Sequence, residues 1–309
     1  MILIIGNSID LAKSVTDEIE CSSSEEVVFF KADQCLTGES ISYSLIGDAF
    51  NLVLRADGRD INLTDVRSVW YWKPLLPKEL RNLDPPTDQI FVYRQFLAMW
   101  RSLASLLADR IWVNEYYHML AAEHKPYQLK TAAHLGFSVP ETMVTSDPQK
   151  ALDFWNFCKK EAIIKPLMSS PNDSYFLFAN KITDELMDKA ERIKSSPVIL
   201  QRLIPAKNEL RITVVGSQVF AAEIISESKL DWRRGKIEVR PFDLPEAIKD
   251  LCLKYVSNLG LLYGCIDMIV SLDGVYYFLE INPNGQWGFV EKRSGLPIGK
   301  AIAHLLMRR

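Results

Sequence analysis

Short apolar runs separated by polar turns fill the first part of the chain. Runs of about four to eight residues bounded by turn-forming residues predict β-strands rather than helices. They lie at Met1–Ile5, Val27–Phe30, Ala49–Leu54 and Val66–Trp72. The pattern predicts a small α/β lobe, which ends at a proline-rich break that contains Pro74, Pro77, Pro85 and Pro86.

Helical spacing replaces this pattern in the next part of the chain. Within Asp88–Arg110, the residues Leu97, Trp100, Ala104 and Leu107 recur three or four positions apart. This spacing predicts an amphipathic helix, because residues at that interval share one face. The pattern leaves open whether Trp100, like the aromatic run Trp70–Trp72, belongs to the core or to an interface.

A second helix is predicted to begin at Lys125. Pro126 suits the first helical position, and Gly136 suits the position after the last turn. A third helix is predicted over Gln149–Lys160. Beyond it the chain becomes rich in strands, with two more helices, one over Pro245–Leu259 and one from about Ile298. The predicted strands are Ala162–Lys165, Val198–Leu203, Leu210–Val215, Gln218–Ile225, Ile266–Val270 and Val275–Ile281.

The strongest chemical signal is a hairpin near the C-terminus. Asp273-Gly274 separates two β-rich runs, and this pair favours a two-residue type I′ turn. With that loop, Asp267 lies directly opposite Glu280. Because side chains alternate along a strand, Asn282 shares the face of Glu280.

Two opposed carboxylates destabilise a sheet, and a bound divalent cation reverses that cost. The three side chains Asp267, Glu280 and Asn282 are oxygen donors, which suit Mg²⁺ or Mn²⁺ rather than zinc. The alternative is that both acids are solvated on the wet face of an edge strand. The polar segment Asn282–Trp287, which follows at once, favours the metal site.

Two lysines occupy positions that suit phosphate binding. Lys165 ends a short apolar strand and Lys125 precedes a helix, so each has a defined origin and a long reach. The alternative for both is a solvated surface charge. The chain has no P-loop, no glycine-rich dinucleotide turn and no nucleophile elbow.

Composition narrows the classes of protein further. The 36 basic and 39 acidic residues are nearly balanced, which gives no support to nucleic-acid binding. The apolar start Met1–Ile5 is too short for a signal peptide, so we expect neither export nor a membrane partner. Five scattered cysteines without a C-x-x-C pair predict reduced thiols in a cytoplasmic protein.

Read in order, these segments resemble the ATP-grasp superfamily. They look most like its ribosomal-peptide maturases, the graspetide synthetases that crosslink microviridin-type precursors. The resemblance covers roughly residues 115–309 well and the N-terminal lobe more faintly. The matching segments are His124–Leu129, Ile163–Pro166, Gln201–Pro205, Glu209–Gly216, Asp231–Arg233, Gly264–Asp267 and Leu279–Trp287.

The resemblance implies a mixed α+β and α/β architecture, the ATP-grasp fold, in three parts. Residues 1–115 would form an N-terminal pre-ATP-grasp α/β domain, and residues 116–197 a central ATP-grasp subdomain. Residues 198–309 would form a C-terminal antiparallel-sheet subdomain that carries the metal site.

The resemblance also implies roles for individual residues. Lys125 and Lys165 would hold ATP phosphates, and Glu209 would accept hydrogen bonds from the ribose. Arg211 and Arg233 would stabilise charge on the transferred phosphate; the alternatives are a strand-face salt bridge for Arg211 and a solvated loop charge for Arg233. Adenine would be bound through side chain and backbone by Gln201, Leu203 and Ile204.

The implied activity is ATP-dependent ligation. ATP, with Mg²⁺ or Mn²⁺, would phosphorylate a carboxylate of a precursor peptide that has a leader and an acidic, hydroxyl-rich core. A hydroxyl or amine would then attack, giving an ester or amide crosslink, and the enzyme would act as a homodimer. The alternatives are a glutathione-synthetase-like ligase of an amino acid, small peptide or protein tail, and a catalytically silent ATP-grasp-like binding module.

Two segments depart from the family pattern. The loop that covers the phosphates is rich in glycine across much of the superfamily, whereas here the candidate is Ser169–Ser174. In the N-terminal lobe, Val69-Trp-Tyr-Trp-Lys-Pro74 lies where the peptide-maturase pattern resembles tryptophan-tyrosine followed by two arginines and proline, so the aromatic Trp72 replaces a cation. The second departure bears on the preference for substrate or leader rather than on the chemistry.

Overall fold

The computed structural model describes residues 1–72, 74–75, 77, 79–80, 86–168, 179–227 and 235–308. The first lobe is built on a parallel sheet with strand order β2-β1-β6-β7. Its central strand β1 is buried at all five positions, as expected for a continuous apolar run in a parallel sheet. The elements of this lobe are β1 (Ile2–Gly6), α1 (Ile9–Ser22), β2 (Val27–Lys31), β3 (Ser40–Ile46), β4 (Ala49–Ala56), β5 (Arg59–Asn62), β6 (Ser68–Tyr71), α2 (Pro86–Leu106) and β7 (Ile111–Val113).

All four strands predicted for this lobe are present, but one of them belongs to a second sheet. Strand β4 pairs antiparallel with β3 and β5 in a separate three-stranded sheet, whereas the other three lie in the parallel sheet. Strand β3 was not predicted because serine alternates with its apolar residues, so it has no continuous apolar run. Most of its positions are exposed. The sequence did not decide whether three tryptophans belong to the core or to an interface. They are core residues, since Trp70, Trp72 and Trp100 are 2%, 7% and 5% exposed.

The middle of the chain forms a four-stranded sheet of order β10-β9-β11-β8, in which the paired strands run antiparallel. Helix α4 begins at Lys125 and ends before Gly136, which has a φ of 103°, so both predicted boundaries are confirmed. Asp147 caps α5 through its side chain. The elements are α3 (Tyr116–Ala122), α4 (Lys125–Leu135), β8 (Thr142–Thr145), α5 (Pro148–Phe157), β9 (Ala162–Pro166), β10 (Asn180–Lys181), α6 (Asp184–Met187) and β11 (Val198–Arg202).

The last part of the chain is an antiparallel five-stranded sheet of order β14-β13-β12-β15-β16. One face packs against α4 and α7, and part of the other face packs against α8 and α9. No helix in the described residues is long and apolar enough to cross a bilayer. The elements are β12 (Ala206–Val215), β13 (Gln218–Ser226), β14 (Ile237–Pro241), α7 (Glu246–Asn258), β15 (Tyr263–Ser271), β16 (Tyr276–Asn282), α8 (Gly288–Ser294) and α9 (Ile298–Leu306).

A buried amide joins the first lobe to this sheet. Asn114 is 2% exposed and follows β7 directly. Its Oδ1 accepts from the backbone N–H groups of Leu262 and Tyr263, both at 2.8 Å. Its Nδ2 donates to the carbonyls of Tyr263 at 2.7 Å and Pro283 at 2.6 Å. The start of β15 and the segment after β16 are therefore held to the N-terminal lobe by one side chain.

Candidate active site

The hairpin β15–β16 brings the two predicted carboxylates opposite each other, but not through the turn that was predicted. Asp267 pairs with Glu280, as expected. Closer to the turn, however, Val270 pairs with Tyr276, so the loop is one residue longer than the two-residue turn. A β-bulge next to Asp267 places one extra residue on β16. This extra residue offsets the longer loop, so Asp267 still pairs with Glu280.

Asp267 is the centre of a hydrogen-bonded cluster on the sheet. Arg211 lies beside it on β12 and donates from Nη1 to both carboxylate oxygens, at 2.9 and 3.0 Å. Asn282 donates from Nδ2 to Asp267 Oδ2 at 3.1 Å, which leaves its amide oxygen for another partner. The cluster therefore presents carboxylate and amide oxygens from two adjacent strands.

Arg211 forms the salt bridge that was the alternative to a phosphate contact. Its side chain is 5% exposed, and its Nη2 donates to the Gln286 carbonyl at 3.0 Å. Burial disfavours the cation, but the charge and hydrogen bonds of Asp267 together with Cys265 and Tyr263 outweigh it, so the pKa of Arg211 lies above its ordinary value. Arg211 is therefore a permanent positive charge beside Asp267.

The carboxylate of Glu280 also has a cation beside it. Lys125 Nζ lies 3.0 Å from Glu280 Oε2, and the two side chains are 18% and 16% exposed. The repulsion between Asp267 and Glu280 is therefore offset by Arg211 and Lys125. The opposed carboxylates alone therefore do not require a metal ion, because the protein supplies two cations of its own.

The donor set nevertheless fits a magnesium ion shared with phosphates. Mg²⁺ in such sites takes one or two carboxylates and completes its shell with water and phosphate oxygens. Asp267, Glu280 and Asn282 supply two carboxylates and one amide oxygen. Among the described residues, no group of three or more His, Cys, Asp or Glu side chains could hold a metal unaided. The geometry thus favours a site that a nucleotide must help to build.

Sequence reasoning missed Gln128, which holds the outer edge of β16. This residue is 2% exposed and lies one turn after Lys125 on α4. Its Oε1 accepts from Ile281 N–H at 3.1 Å, and its Nε2 donates to Ile281 C=O at 2.9 Å. The amide thus pairs with both backbone groups of the residue between Glu280 and Asn282. A glutamine on a helix face gives no local signal for such a contact.

The segment after β16 is held in place by close contacts and hydrogen bonds to other strands. Gly285 in this segment allows a close approach of the backbone to β15 and β12. A Cβ there would lie 2.5 Å from Cβ of Cys265 and 2.7 Å from Arg211 Nη2. Tyr263 donates its hydroxyl to the Gly285 carbonyl at 2.6 Å, and burial raises the pKa of Tyr263 well above its ordinary value. Asn284 donates to the Tyr71 carbonyl at 3.1 Å.

The central sheet holds a second group of predicted residues. Lys165 on β9 donates to Gln201 Oε1 at 2.9 Å, and Gln201 Nε2 lies 2.9 Å from Thr142 Oγ1. Gln201 is 1% exposed. Its side chain is thus bonded within the protein in this structure, although it was expected to bind adenine. The N–H of Leu203 is likewise bonded to the Glu161 carbonyl at 3.1 Å.

Of the remaining predicted residues, Glu209 and Ile204 lie in the described part of the chain and Arg233 lies outside it. Glu209 lies two positions before Arg211 on β12, so the two share a face of the C-terminal sheet. Ile204 follows the end of β11 and is half-buried. Arg233 and the candidate phosphate-covering segment 169–174 lie outside the described residues.

A cleft of about 980 Å³ opens beside the carboxylates. One end is lined by Lys125, Glu280 and Asn282. The cleft continues between α3 and the first turns of α2, where apolar and aromatic residues predominate. Such a volume lies at the upper end of the range for small-molecule sites.

The class of protein is shown by a family comparison. Residues 122–306 match the RimK-like ATP-grasp domain, so the chain belongs to that family. It is an ATP-grasp ligase with the ATP-grasp fold.

Solved structures extend the similarity to the whole chain. The macrocyclase MdnC from Microcystis aeruginosa MRC, solved with the precursor peptide MdnA, is 28% identical with a TM-score of 0.88 and covers 100% of this chain and 99% of its own. A Chryseobacterium gregarium RiPP-associated ATP-grasp ligase, in complex with ADP and a leader and core peptide, is 28% identical with a TM-score of 0.84. It covers 99% of this chain and 96% of its own.

A curated relative is similar over a shorter region. The tetrahydromethanopterin:alpha-L-glutamate ligase of Methanocaldococcus jannaschii is 26% identical over 183 residues, which are 55% of this chain and 60% of that protein. The chain therefore spans less than two thirds of the length of this curated relative.

Proposed function

We propose that this enzyme activates side-chain carboxylates of a ribosomal precursor peptide as acyl phosphates and forms intramolecular ester or amide crosslinks. The supporting observation is the whole-length likeness to MdnC, which includes the N-terminal lobe as well as the ATP-grasp domain. A ligase that shared only the ATP-grasp domain would leave the first 121 residues unmatched.

In this proposal, ATP binds between the central and C-terminal sheets. Lys165 and Lys125 hold its phosphates, Glu209 accepts from the ribose hydroxyls, and the backbone around Leu203 and Ile204 contacts adenine. For Gln201 we propose that its side chain orients Lys165, which donates to it at 2.9 Å, and that its backbone contacts adenine. Lysine suits this task because it is a point charge with rotatable donors.

Mg²⁺ would be held by Asp267, Glu280 and Asn282 together with the nucleotide phosphates, and Mn²⁺ is an alternative with the same ligand preference. When bound, it supplies charge neutralisation at the transferred phosphoryl group. Lys125 would then be released from Glu280 to the phosphates. The 3.0 Å ion pair supports this exchange, because it places the lysine where the metal ligands are.

Arg211 is proposed to orient Asp267 and to add positive charge below the transferred phosphoryl group. Its two hydrogen bonds to Asp267 support the first role. Arg233 is proposed as the second cation of the site. Preorganised charges of this kind contribute most of the rate acceleration in phosphoryl transfer.

The proposed reaction has two steps. A carboxylate oxygen of the peptide attacks the γ-phosphorus, the bond to the β-phosphate oxygen breaks, and ADP leaves. A hydroxyl or amine of the same peptide then attacks the acyl carbon, loses its proton, and expels phosphate. Each bond formed therefore removes one water from the mass of the peptide, and no protein nucleophile is needed.

The test is to add a precursor peptide with an acidic, hydroxyl-rich core to the enzyme with ATP and Mg²⁺. We expect ADP release together with the loss of one water per bond by mass spectrometry. ADP release with free amino acids only would show the proposal to be wrong. It would favour instead a ligase of an amino acid, small peptide or protein tail, which the glutamate ligase relative supports.

The remaining proposals concern organisation. We take the three parts to be residues 1–115, 116–197 and 198–309, and the enzyme to be a cytoplasmic homodimer. The small core of the central sheet supports a separate central part, but it includes Leu200 on β11, so the boundary between the central and C-terminal parts belongs after Arg202 rather than at residue 197. Size-exclusion chromatography with light scattering tests the oligomeric state.

A further inference from the structure

The cleft beside the carboxylates is chemically divided along its length. Its charged lining in the described part of the chain consists of Glu123, Lys125 and Glu280, which lie together where α3, α4 and β16 meet. The opposite end is lined by α2 and by described residues between β6 and α2, and its apolar residues include Leu75, Ile90 and Tyr93.

The apolar end is open to solvent rather than closed as core. Ile90, Tyr93 and Leu75 are 55%, 52% and 43% exposed, although all three line the cleft. Below them, Trp100 is 5% exposed and forms the floor with Tyr71, whose ring lies 6.4 Å from it. Burial of such apolar groups by a ligand removes them from water and therefore makes the free energy of binding more favourable.

We infer that this cleft binds a bulky apolar side chain next to the reacting carboxylate, so that the preferred acyl donor is an acidic residue flanked by large apolar residues. The inference rests on the proposed function, because it takes the end at Glu280 and Asn282 as the place of reaction. It adds a rule for selecting the donor that the proposed function does not contain.

Two observations favour a peptide segment as the occupant. The apolar end is continuous with the end that holds Lys125, so a single ligand can reach both. A free amino acid would fill only a small part of about 980 Å³.

The test uses two capped heptapeptides that differ in two residues. In the first, glutamate is flanked by phenylalanine and leucine; in the second, by serine and threonine. Affinities are measured by calorimetry with a non-hydrolysable ATP analogue and Mg²⁺. We expect the apolar-flanked peptide to bind about tenfold more tightly or better, since burial of one large apolar side chain contributes that much.

Helix α2 offers a matched control. Tyr93→Ser removes a large side chain from the cleft, whereas Phe91→Ser removes one of similar exposure, 63%, outside the lining. We expect Tyr93→Ser to reduce the preference between the two peptides to about threefold or less, and Phe91→Ser to leave it unchanged. Melting temperatures of both variants should match that of the wild type, because both side chains are exposed.

Equal affinity of the two peptides would overturn the inference, as would an equal effect of the two serine variants or the absence of measurable binding. ADP release is followed separately with ATP. If the precursor peptide drives no ADP release, the proposed function fails whatever the affinities of the heptapeptides; if it drives release but the two heptapeptides bind equally, only the apolar subsite fails.

Discussion

The C-terminal sheet and the central sheet carry the two halves of the proposed site, and they are held in different ways. In the C-terminal sheet, the residues around Asp267 and Glu280 are bonded to buried partners from other elements, Arg211 and Gln128 among them. The central sheet has its own small core, and its site residues Lys165 and Gln201 are bonded to each other and, through Gln201, to Thr142 of the same sheet.

This difference suggests a division of labour. A metal site needs ligands in fixed positions, and the buried amides and the arginine around β16 provide that rigidity. A nucleotide side that must admit and release ATP can depend on fewer long-range contacts. If this division holds, substitutions in the C-terminal sheet reduce turnover and stability, whereas substitutions in the central sheet weaken mainly the binding of ATP.

The largest effect is expected for Glu280→Gln. The substitution keeps the size of the side chain but removes a metal ligand, so we expect turnover to fall about 10²–10³-fold with little change in melting temperature. ADP release and thermal unfolding measure the two. Glu238→Gln, in an exposed ion pair with Arg240 of the same sheet, is the control. Retained Mg²⁺-dependent turnover in Glu280→Gln would rule out the metal assignment.

Arg211→Met is expected to affect both activity and folding. It leaves the carboxylate of Asp267 without its buried partner, which costs about 3–5 kcal/mol of unfolding free energy. We expect a clear loss of melting temperature together with loss of ADP release. Arg240→Met, which breaks the exposed pair with Glu238, should change neither. An unchanged melting temperature in Arg211→Met would contradict the structural role.

Lys165→Met should separate affinity from stability. Loss of a charged hydrogen-bond donor to phosphate is expected to raise the KM for ATP about tenfold or more. The melting temperature should fall by less than in Arg211→Met. The control is Lys181→Met on the neighbouring strand β10, where the lysine pairs with Glu161. If both lysine variants raise KM equally, Lys165 has no particular role.

The smallest effect concerns a pair at the end of β11. Arg202 donates to Glu141 at 2.7 Å, and this hydrogen bond lowers the pKa of Glu141 below its ordinary value of 4.5. Glu141 is partly exposed, so the pair is worth only about 0.2–1 kcal/mol.

A lowered carboxylate pKa means that this stabilisation is present above the ordinary pKa and is lost as the pH falls through the lowered one. Glu141→Gln should therefore lower the melting temperature slightly at neutral pH, and the difference should vanish in acid. A difference that grows with acidity would contradict the sign of the shift.

Much of the chain could be predicted locally. The start of α4 at Lys125 and its end at Gly136 follow from proline and glycine chemistry within one segment. The opposition of Asp267 and Glu280 was predicted correctly, although the loop was one residue too short and a bulge restored the register. Turn type and bulge position both depend on packing against other strands, so the route to the correct pairing was not visible in the hairpin alone.

The sequence by itself determined the bounds of α4 and the opposition of Asp267 and Glu280, because periodicity and turn residues are properties of short segments. Only the tertiary structure decided that Arg211 pairs with Asp267, that Gln128 completes the edge of β16, and that Gln201 is buried against Lys165. These contacts join residues far apart in the chain. Their partners are selected by burial and by the need to satisfy buried polar groups, which no local pattern encodes.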